Sequence, residues 1–438
     1  MLILGEIFID YTLLSEQNPC KMRLGGIIHA ARGLWANDIK YSAAIICPSY
    51  LTSEATNYLK CHGCDEVIVI GEVFGSPNII SLVDQREVGE QGYEELLRDT
   101  KSIAFTQDIQ KLATFDSVII FPGRFCVKTL TKYCNPNARF SIDVAYDISD
   151  LSVLSSITGK IETIYLSTSS DLFLDLAAND ISILITEAQN LSPCSVVLKE
   201  NRGGSRLFDF VADRIVSVPA ILEKTVNSVG VGDVFTAVAS AYRFSSHSIE
   251  DSVWRGALSA TYYSQTTFPD DFKRSVQRSH NTPLNKHKSL GGTSLSWHAR
   301  KKYNVYIAAP DFSYVDRKHL DSVISNLEYH NFNIRRPVLE NGELNERSSA
   351  FDRRKAYEDD CELINLCDVI FAIPLQRDPG TLVEIGIGLA KGIPVITYDP
   401  NRENDNNMIV TGSNKYSSDL DECLNHLYVE LSYLENRK

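Results

Sequence analysis

Short apolar runs alternate with longer amphipathic stretches along most of the 438-residue chain. The apolar runs, which are typical of buried strands, are LILGEIFI, YSAAIIC, EVIVIG, SVIIFP, TIYLS, SVVLKE, VYIAAP, VIFAIP and IPVITYD. Because stretches of helix length separate these runs, the pattern predicts crossover connections and mainly parallel sheets. Such sheets bind ligands at the carboxyl ends of their strands, so functional motifs are expected in the loops that follow the strands.

One polar segment interrupts this alternation. Residues 277–301, QRSHNTPLNKHKSLGGTSLSWHARK, are basic, contain Gly, Ser and Pro, and show no sustained periodicity. This composition predicts a linker that acts as a solvated tether rather than as a nucleic-acid contact. The sequence thus predicts a first domain at 1–276 and a second at 302–438, in line with roughly two to three domains for this length.

Charge and hydropathy narrow the classes of function. The chain has 43 Lys+Arg and 56 Asp+Glu, a net charge of −13, which argues against a protein whose main role is to bind nucleic acid. No uninterrupted apolar run reaches ~18 residues, so no membrane span is expected. The N-terminus lacks the basic start of a signal peptide, and the ten scattered cysteines are expected to be reduced thiols of a cytoplasmic protein.

Cys61 and Cys64 in KCHGCDEVIVI have the C-x-x-C spacing of redox and zinc sites. Neither a second ligand pair nor a helix start after a strand accompanies them. The favoured interpretation is a helix end, with Gly63 in a turn before a buried strand. No metal site is expected in the protein.

The second domain contains the sharpest motif, QRDPGTLVEIGIGLAKG, which follows the apolar run DVIFAIPL. Pro379 and Gly380 predict a turn and Thr381 a helix cap. Taken alone, Thr381 and Glu384 could form a capping box, in which the glutamate only satisfies a backbone N–H.

The spacing of several anchors makes residues 303–410 resemble the nucleoside 2-deoxyribosyltransferase family. The matching residues are Tyr306 in the opening strand, Asp360 in the middle helix, and Asp378, Gly380 and Glu384 in DPGTLVEIG. The resemblance implies a small, flavodoxin-like, doubly wound α/β domain. It also implies cleavage or transfer at the N-glycosidic bond of nucleosides or nucleotides without a cofactor, with Gly380 among the residues that bind the substrate.

The same resemblance implies a role for each acidic side chain. Glu384 attacks C1′ of the sugar, and its place near a helix N-terminus is expected to keep it ionised. Asp378 and Asp360 hold the base and its proton, and Tyr306 orients Glu384. Asn406 in NDNNMIV, or its neighbour Asn407, would bind the sugar of an adjacent subunit, which implies a homo-oligomer.

The first domain ends with NSVGVGDVFTAVASAY at residues 227–242. The backbone N–H groups of Gly230, Val231 and Gly232 at a helix start would form an anion hole for a phosphoryl group. Asp233 would then accept the proton of a hydroxyl nucleophile. The alternative is an ordinary glycine-rich turn with an aspartate cap.

Most of residues 1–270 resembles the ribokinase-like, or PfkB, sugar and nucleoside kinases. The matching residues outside that motif are Asp10 in GEIFID, Gly25 and Gly26 in LGGIIHAARGL, and Lys199 and Gly204 in VVLKENRGGSRLF. The resemblance implies a ribokinase-like three-layer α/β fold that uses Mg-ATP. It places Asp10, Gly25 and Gly26 at the substrate, and Lys199 and Gly204 near the nucleotide.

Three departures from this family pattern leave two hypotheses open. His29 or Ala30 stands where the family has a substrate-binding asparagine, Asn201 replaces a usual glycine, and the residues 11–24 are too few for the usual lid strands. The first domain is therefore either a kinase coupled to the glycosidic enzyme, or a ligand-sensing or scaffolding module that controls it. In a variant of the first hypothesis the second domain hydrolyses nucleotides, whose phosphate would meet Ser313 or the Arg335–Arg336 pair.

Overall fold

The computed structural model describes residues 1–13, 20–96, 100–144, 148–344 and 347–437. The chain forms two compact units. Unit 1 consists of Met1–Glu87 and Gln91–Ser294, and unit 2 consists of Val88–Glu90 and Leu295–Lys438.

The secondary structure of unit 1 is mixed α/β. Its strands are β1 (Leu2–Thr12), β2 (Lys21–Gly26), β3 (Tyr41–Cys47), β4 (Cys64–Phe74), β5 (Ile79–Leu82), β6 (Glu94–Leu96), β7 (Ser102–Phe105), β8 (Ser117–Ile120), β9 (Arg139–Val144), β10 (Ile161–Ser167), β11 (Ser195–Lys199), β12 (Ser205–Asp209) and β13 (Arg214–Val218). Its helices are α1 (Ile27–Ala36), α2 (Ser49–Cys61), α3 (Val127–Leu130), α4 (Asp171–Leu176), α5 (Ile181–Gln189), α6 (Val231–Phe244), α7 (Ile249–Ser264), α8 (Pro269–His280) and α9 (Leu284–Leu290).

The main sheet of unit 1 has the strand order β13-β12-β11-β10-β9-β8-β1-β3-β4-β7. The strands from β11 to β4 are parallel, and antiparallel pairs stand at both ends of the sheet. All seven residues of β3 are buried, so both faces of the sheet are covered at its centre. The predicted three-layer α/β arrangement of the first domain is therefore confirmed.

The C-terminal half of β1 also belongs to a second, smaller sheet. Strand β2 pairs with β1 antiparallel from Ile7 to Thr12, β5 pairs with β1 in parallel, and β6 extends β5. The expectation that the residues 11–24 leave no room for such strands is wrong. The prediction counted only the residues 11–24. Most of the smaller sheet is supplied by β1 and by β5 and β6, which lie further along the chain.

The predicted linker is largely helical. Residues 277–301 contain the end of α8, all of α9 and the four-residue α10 (Trp297–Arg300), and the chain passes from unit 1 to unit 2 between Ser294 and Leu295. Helix α9 buries none of its residues, so it carries no apolar period that a sequence pattern could reveal. The missing periodicity thus reflects exposure rather than irregular backbone.

The C-x-x-C pair has the predicted structural surroundings. Helix α2 ends at Cys61, Gly63 has a φ of 75°, and β4 begins at the buried Cys64. Within the described ranges no group of three or more His, Cys, Asp or Glu side chains is placed to hold a metal ion. No described helix is long and apolar enough to cross a bilayer.

Unit 2 is built on a five-stranded parallel sheet with the order β15-β14-β16-β17-β18. Its strands are β14 (Asn304–Ala308), β15 (Asn333–Arg335), β16 (Val369–Ala372), β17 (Val395–Tyr398) and β18 (Lys415–Ser417). Its further helices are α11 (Lys318–Tyr329), α12 (Pro337–Asn341), α13 (Ala350–Asn365), α14 (Pro379–Lys391), α15 (Asn407–Val410) and α16 (Leu420–Glu435). This is the predicted flavodoxin-like order, whose switch point between β14 and β16 is the expected ligand position.

Candidate active site

The motif after β16 begins α14 with an aspartate cap. Gln376 and Arg377 have φ values of 56° and 55°, which turn the chain sharply before Asp378. One carboxylate oxygen of Asp378 accepts hydrogen bonds from the backbone N–H of Thr381 at 2.7 Å and from its hydroxyl at 2.8 Å. The helix cap is thus Asp378 and not Thr381, and the alternative of a capping box with Glu384 is wrong.

Glu384 instead faces the neighbouring strand. The hydroxyl of Tyr306, on β14, donates a hydrogen bond of 2.7 Å to Oε1 of Glu384. The side chain of Tyr306 is fully buried, so its hydroxyl is held by the core of unit 2. The sequence predicted that these two residues would be neighbours, and the structure brings them together.

A cleft of about 360 Å³ opens beside Glu384 at the start of α14. Its lining residues are Tyr357, Asp360, Cys361, Ile364, Pro379, Gly380, Val383, Glu384 and Ile387. Asp360 accepts a hydrogen bond of 2.8 Å from the side-chain amide of Asn341. The cleft therefore places two carboxyl groups beside an apolar wall, which is the composition of a site for a small ligand with an apolar ring.

Burial dominates the electrostatics of this cleft. It raises the pKa of Glu384 to about 8, and the nearby carboxylates of Asp360 and Asp378 add to this rise, while the Tyr306 hydroxyl opposes it. Burial also raises the pKa of Asp360. The expectation that the helix keeps Glu384 ionised is wrong, because Glu384 lies in the second turn, beyond the free amides of the first.

Other residues that the sequence analysis singled out in unit 2 lie outside the cleft lining. Asn406 caps α15, where its side-chain oxygen accepts a 2.9 Å hydrogen bond from the N–H of Met408. Arg335 is bonded to Glu340, and Arg336 donates two hydrogen bonds to one oxygen of the buried Asp311 at 2.9 and 2.6 Å. Both arginines expected to meet a phosphate are thus already paired with carboxylates.

In unit 1, the motif of residues 227–242 begins α6 as predicted. Gly230 has a φ of 83°, and a Cβ atom there would lie 2.1 Å from the ring of His29, so only glycine fits. The N–H of Val231 donates to the carbonyl of Ser228 at 3.0 Å, which removes it from the predicted anion hole. Burial raises the pKa of Asp233 well above its ordinary range, and the nearby Asp143 adds to the rise.

Lys199 lies beneath the start of α6. Its ammonium group donates to both carboxylate oxygens of Asp143, at 2.8 and 2.7 Å, and a Cβ atom on Gly232 would lie 3.2 Å from it. The sequence analysis missed Asp143, whose only signal is an acidic residue in the apolar run of β9. Gly204 has a φ of 91°, and Asn201 in the same turn has a φ of 52°, a conformation that asparagine tolerates better than most residues.

Asp10 is bonded to other side chains of unit 1. One oxygen of its carboxylate lies 2.9 Å from Nε2 of His29 and 3.3 Å from Nε of Arg23. A Cβ atom on Gly25 would lie 1.9 Å from the other oxygen, and one on Gly26 would lie 2.2 Å from the Glu6 carbonyl. The two glycines therefore let β2 approach β1 closely, and the carboxylate expected at the substrate is held by protein groups.

A family model matches the part of the chain that contains the cleft. Residues 305–418 match the Nucleoside 2-deoxyribosyltransferase family model. The matched segment contains Tyr306, Asp360 and Glu384, and all the residues that line the cleft. The resemblance that the motifs predicted for unit 2 is confirmed.

Solved structures with a similar fold align with the N-terminal part of the chain. Phosphofructokinase-2 from Escherichia coli, crystallised with potassium, has a TM-score of 0.48 and 14% identity, and the match covers 64% of this chain and 98% of that one. Ribokinase from Arabidopsis thaliana with ribose and ATP gives 0.45 and 14%, covering 63% and 97%. The Methanocaldococcus jannaschii nucleoside kinase gives 0.42 and 13%, covering 63% and 98%. No curated protein matches the chain.

Proposed function

We propose that unit 2 cleaves, or transfers at, the N-glycosidic bond of (deoxy)nucleosides or nucleotides, with Glu384 as the nucleophile. The observation that carries this proposal is the carboxyl group of Glu384, which is bonded to Tyr306 and shares one cleft with Asp360. This cleft lies wholly inside the matched transferase segment. An apolar wall that includes Ile364 and Ile387 suits the face of a heterocyclic base.

The proposed reaction has two steps. In the first, the carboxylate of Glu384 forms a bond to C1′ of the sugar, while the C1′–N bond breaks and its electron pair moves to the base. Asp360, whose raised pKa suits a general acid, gives its proton to the base. In the second step another base, or water, forms a new bond to C1′ and gives its proton to Asp360, while the C1′–O bond to Glu384 breaks and its electron pair returns to the carboxylate.

The hydrogen bond from Tyr306 supports the role of Glu384 as the nucleophile. A hydroxyl that donates to a carboxylate oxygen favours the ionised form, which is the form that attacks C1′. Burial opposes this and raises the pKa of Glu384 to about 8, so base release is expected to increase as the pH rises towards 8. Burial also raises the pKa of Asp360, which is the direction that a proton donor requires.

The experiment that tests this proposal measures release of free base from a panel of deoxynucleosides, ribonucleosides and their 5′-monophosphates by mass spectrometry, with and without an acceptor base. The Glu384→Ala variant should lose base release with every substrate. The Asp359→Asn variant, next to Asp360 but outside the cleft lining, is the control and should retain it. Turnover that persists in Glu384→Ala would exclude this residue as the nucleophile.

The active form of this transferase domain is further proposed to be a homo-oligomer in which Asn406 reaches the cleft of an adjacent copy. Met408, beside Asn406, exposes 77% of its surface, and Val383 at the cleft exposes 56%. Such apolar exposure is typical of a contact surface. Mixing inactive Asn406→Ala and Glu384→Gln chains should restore part of the activity, because some clefts then combine intact residues; a mixture that stays inactive argues against sharing.

A second activity, ATP-dependent phosphorylation of a nucleoside or sugar, is proposed for unit 1. Asp233 at the start of α6 would accept the hydroxyl proton, and Lys199 and Gly232 would hold the phosphates of Mg-ATP, which supplies the phosphoryl group when bound. The close approach of Gly232 to the ammonium group of Lys199, which a Cβ atom there would meet at 3.2 Å, supports this assignment.

The contacts of Asp10 favour the alternative to a kinase, which is a ligand-sensing or scaffolding module. The side chains of His29 and Arg23 already pair with the carboxylate that would bind the sugar. Incubation with Mg-ATP and the same substrate panel distinguishes the two. Phosphorylated product that disappears in Asp233→Asn supports the kinase, whereas its absence from the unaltered protein supports the module.

A further inference from the structure

A small polar cavity lies at the surface of unit 1, between α1, α7, α8 and α9. Its volume is about 120 Å³, and the polar residues that line it are Asn37, Arg255, Ser259, Ser279, His280, Thr282 and His287. At about 30 Å³ for each water molecule, the cavity has room for roughly four waters, or for one tetrahedral oxyanion. It shares no residue with the groups proposed for phosphoryl transfer.

Arg255 supplies the charge of this cavity. Its guanidinium carbon lies 4.6 Å from the ring centre of Tyr242, which holds the plane of the group in place. The Nε atom is buried and has no hydrogen-bond partner in the part of the chain that the structure describes. A buried donor without an acceptor is costly, so this atom indicates that an acceptor belongs in the cavity.

The acidic residues around Arg255 are already paired with lysines. Asp38 lies 2.6 Å from the ammonium group of Lys273, and Asp251 lies 2.7 Å from that of Lys288. Within the described ranges Arg255 itself forms no ion pair. No carboxylate of the described residues therefore lies at ion-pair distance from Arg255, and an arginine fork matches an oxyanion well.

The Thr282 hydroxyl supplies a second donor at the cavity. The two histidines supply none in their neutral form, because Nε2 of His280 lies 3.2 Å from the side-chain oxygen of Asn37 and Nε2 of His287 lies 3.4 Å from the Ser279 carbonyl. No carboxylate lines the cavity. A ligand here therefore meets an arginine and a hydroxyl but no negative charge, which favours an anion.

We infer that this cavity, here called the Arg255 site, binds a phosphate group, either as inorganic phosphate or as the phosphate of a small monoester. The volume fits the five heavy atoms of the group, and the arginine and hydroxyl groups match its oxygens. In the monoester case, the remainder of the ligand would extend out of the cavity.

The test uses the full chain and isothermal titration calorimetry, in a buffer free of phosphate and at constant ionic strength. Inorganic phosphate and ribose 5-phosphate are the two probes, and they distinguish the free ion from the monoester. Arg255→Gln should weaken binding by roughly 10- to 100-fold. The control is Arg278→Gln, an exposed arginine of α8 outside the cavity lining, which should leave the affinity unchanged.

Equal binding by Arg255→Gln and the unaltered protein would overturn the inference, and so would an equal loss in Arg278→Gln. If Arg255→Gln fails to fold, Thr282→Val provides a second route, because it leaves the contact between Arg255 and Tyr242 intact. Phosphate should then raise the melting temperature of the unaltered protein more than that of Thr282→Val. The same rise in both proteins would overturn the inference.

Discussion

The Tyr306→Phe substitution isolates one contact of the proposed active site. It removes the 2.7 Å hydrogen bond to Glu384 and leaves the buried ring in place, so the core of unit 2 keeps its packing. The hydroxyl lowers the pKa of Glu384, and burial raises that pKa to about 8 in its presence. Loss of the hydroxyl must therefore raise the pKa further.

The magnitude follows from the strength of such bonds. A hydrogen bond to a charged group contributes about 1.5–3 kcal/mol, and 1.36 kcal/mol corresponds to one pH unit, so the pKa of Glu384 rises by about 1–2 pH units. At pH 7 the ionised fraction then falls from about one tenth to between about one hundredth and one thousandth. We expect kcat/KM for base release to fall about 10- to 100-fold at pH 7 and to recover as the pH rises.

The assay is base release at low substrate concentration, followed across a pH series, so that kcat/KM reports the ionisation of the free enzyme. Tyr416→Phe provides the control, because the Tyr416 hydroxyl donates a 2.7 Å hydrogen bond to another carboxylate of unit 2, that of Asp399, which lies outside the cleft lining. Only Tyr306→Phe should move the pH midpoint upward. Identical midpoints in Tyr306→Phe and the unaltered protein, or an equal shift in Tyr416→Phe, would refute the reasoning.

Three further predictions concern single side chains. The folded-state pKa of Glu384, about 8, lies above its ordinary value of 4.5, so the stability that this group contributes is complete below pH 4.5 and is lost as the pH rises through about 8. Glu384→Gln should therefore raise the melting temperature of unit 2 by about 10–20 °C above pH 8, with no difference below pH 4.5; scanning calorimetry at both extremes checks this. Asp360→Asn should reduce base release by about 10²- to 10⁴-fold through loss of the proton donor, while Asp359→Asn retains it; equal rates in both variants would exclude Asp360 as the acid. Gly230→Ala should destabilise unit 1 by about 1–3 kcal/mol in urea unfolding, because of both its φ of 83° and the clash with His29. Gly159→Ala, with a φ of 75° but open space around it, should be milder, and equal losses would show that the clash adds nothing.

The strand pattern predicted the sheets well because most central strands are buried on both faces. Strand β3 is apolar except for one serine and is wholly buried, so its sequence indicates a buried strand directly. The helices of residues 277–301 escaped prediction for the opposite reason, since α9 packs almost nothing against the core. A periodic apolar pattern arises because one face of an element is buried. A helix that buries no face, such as α9, therefore shows no such pattern.

The sequence identified the acidic residues at the cleft, but it could not determine their hydrogen-bond partners or their protonation. The motif predicted Glu384 near a helix N-terminus, with Thr381 as the cap and Asp378 just before the turn. Which of them receives the free amides depends on where the helix begins, and that is decided by the sharp turn at Gln376 and Arg377. The partner of Asp360, Asn341, comes from a separate helix, and no spacing rule connects the two.

The carboxylates of the two units show how position along a helix decides chemistry. Asp378 caps α14 and accepts hydrogen bonds from the N–H and the hydroxyl of Thr381. Glu384, one turn further along, has one hydroxyl donor against the cost of burial, so it binds a proton readily. Asp233 lies in the first turn of α6 and nevertheless has a raised pKa, because burial and Asp143 outweigh the helix start and Lys199. A carboxyl group whose pKa is raised is suited to proton transfer or to covalent catalysis, and this supports the roles proposed for Glu384 and Asp233. Asp378, by contrast, caps the helix that carries Glu384.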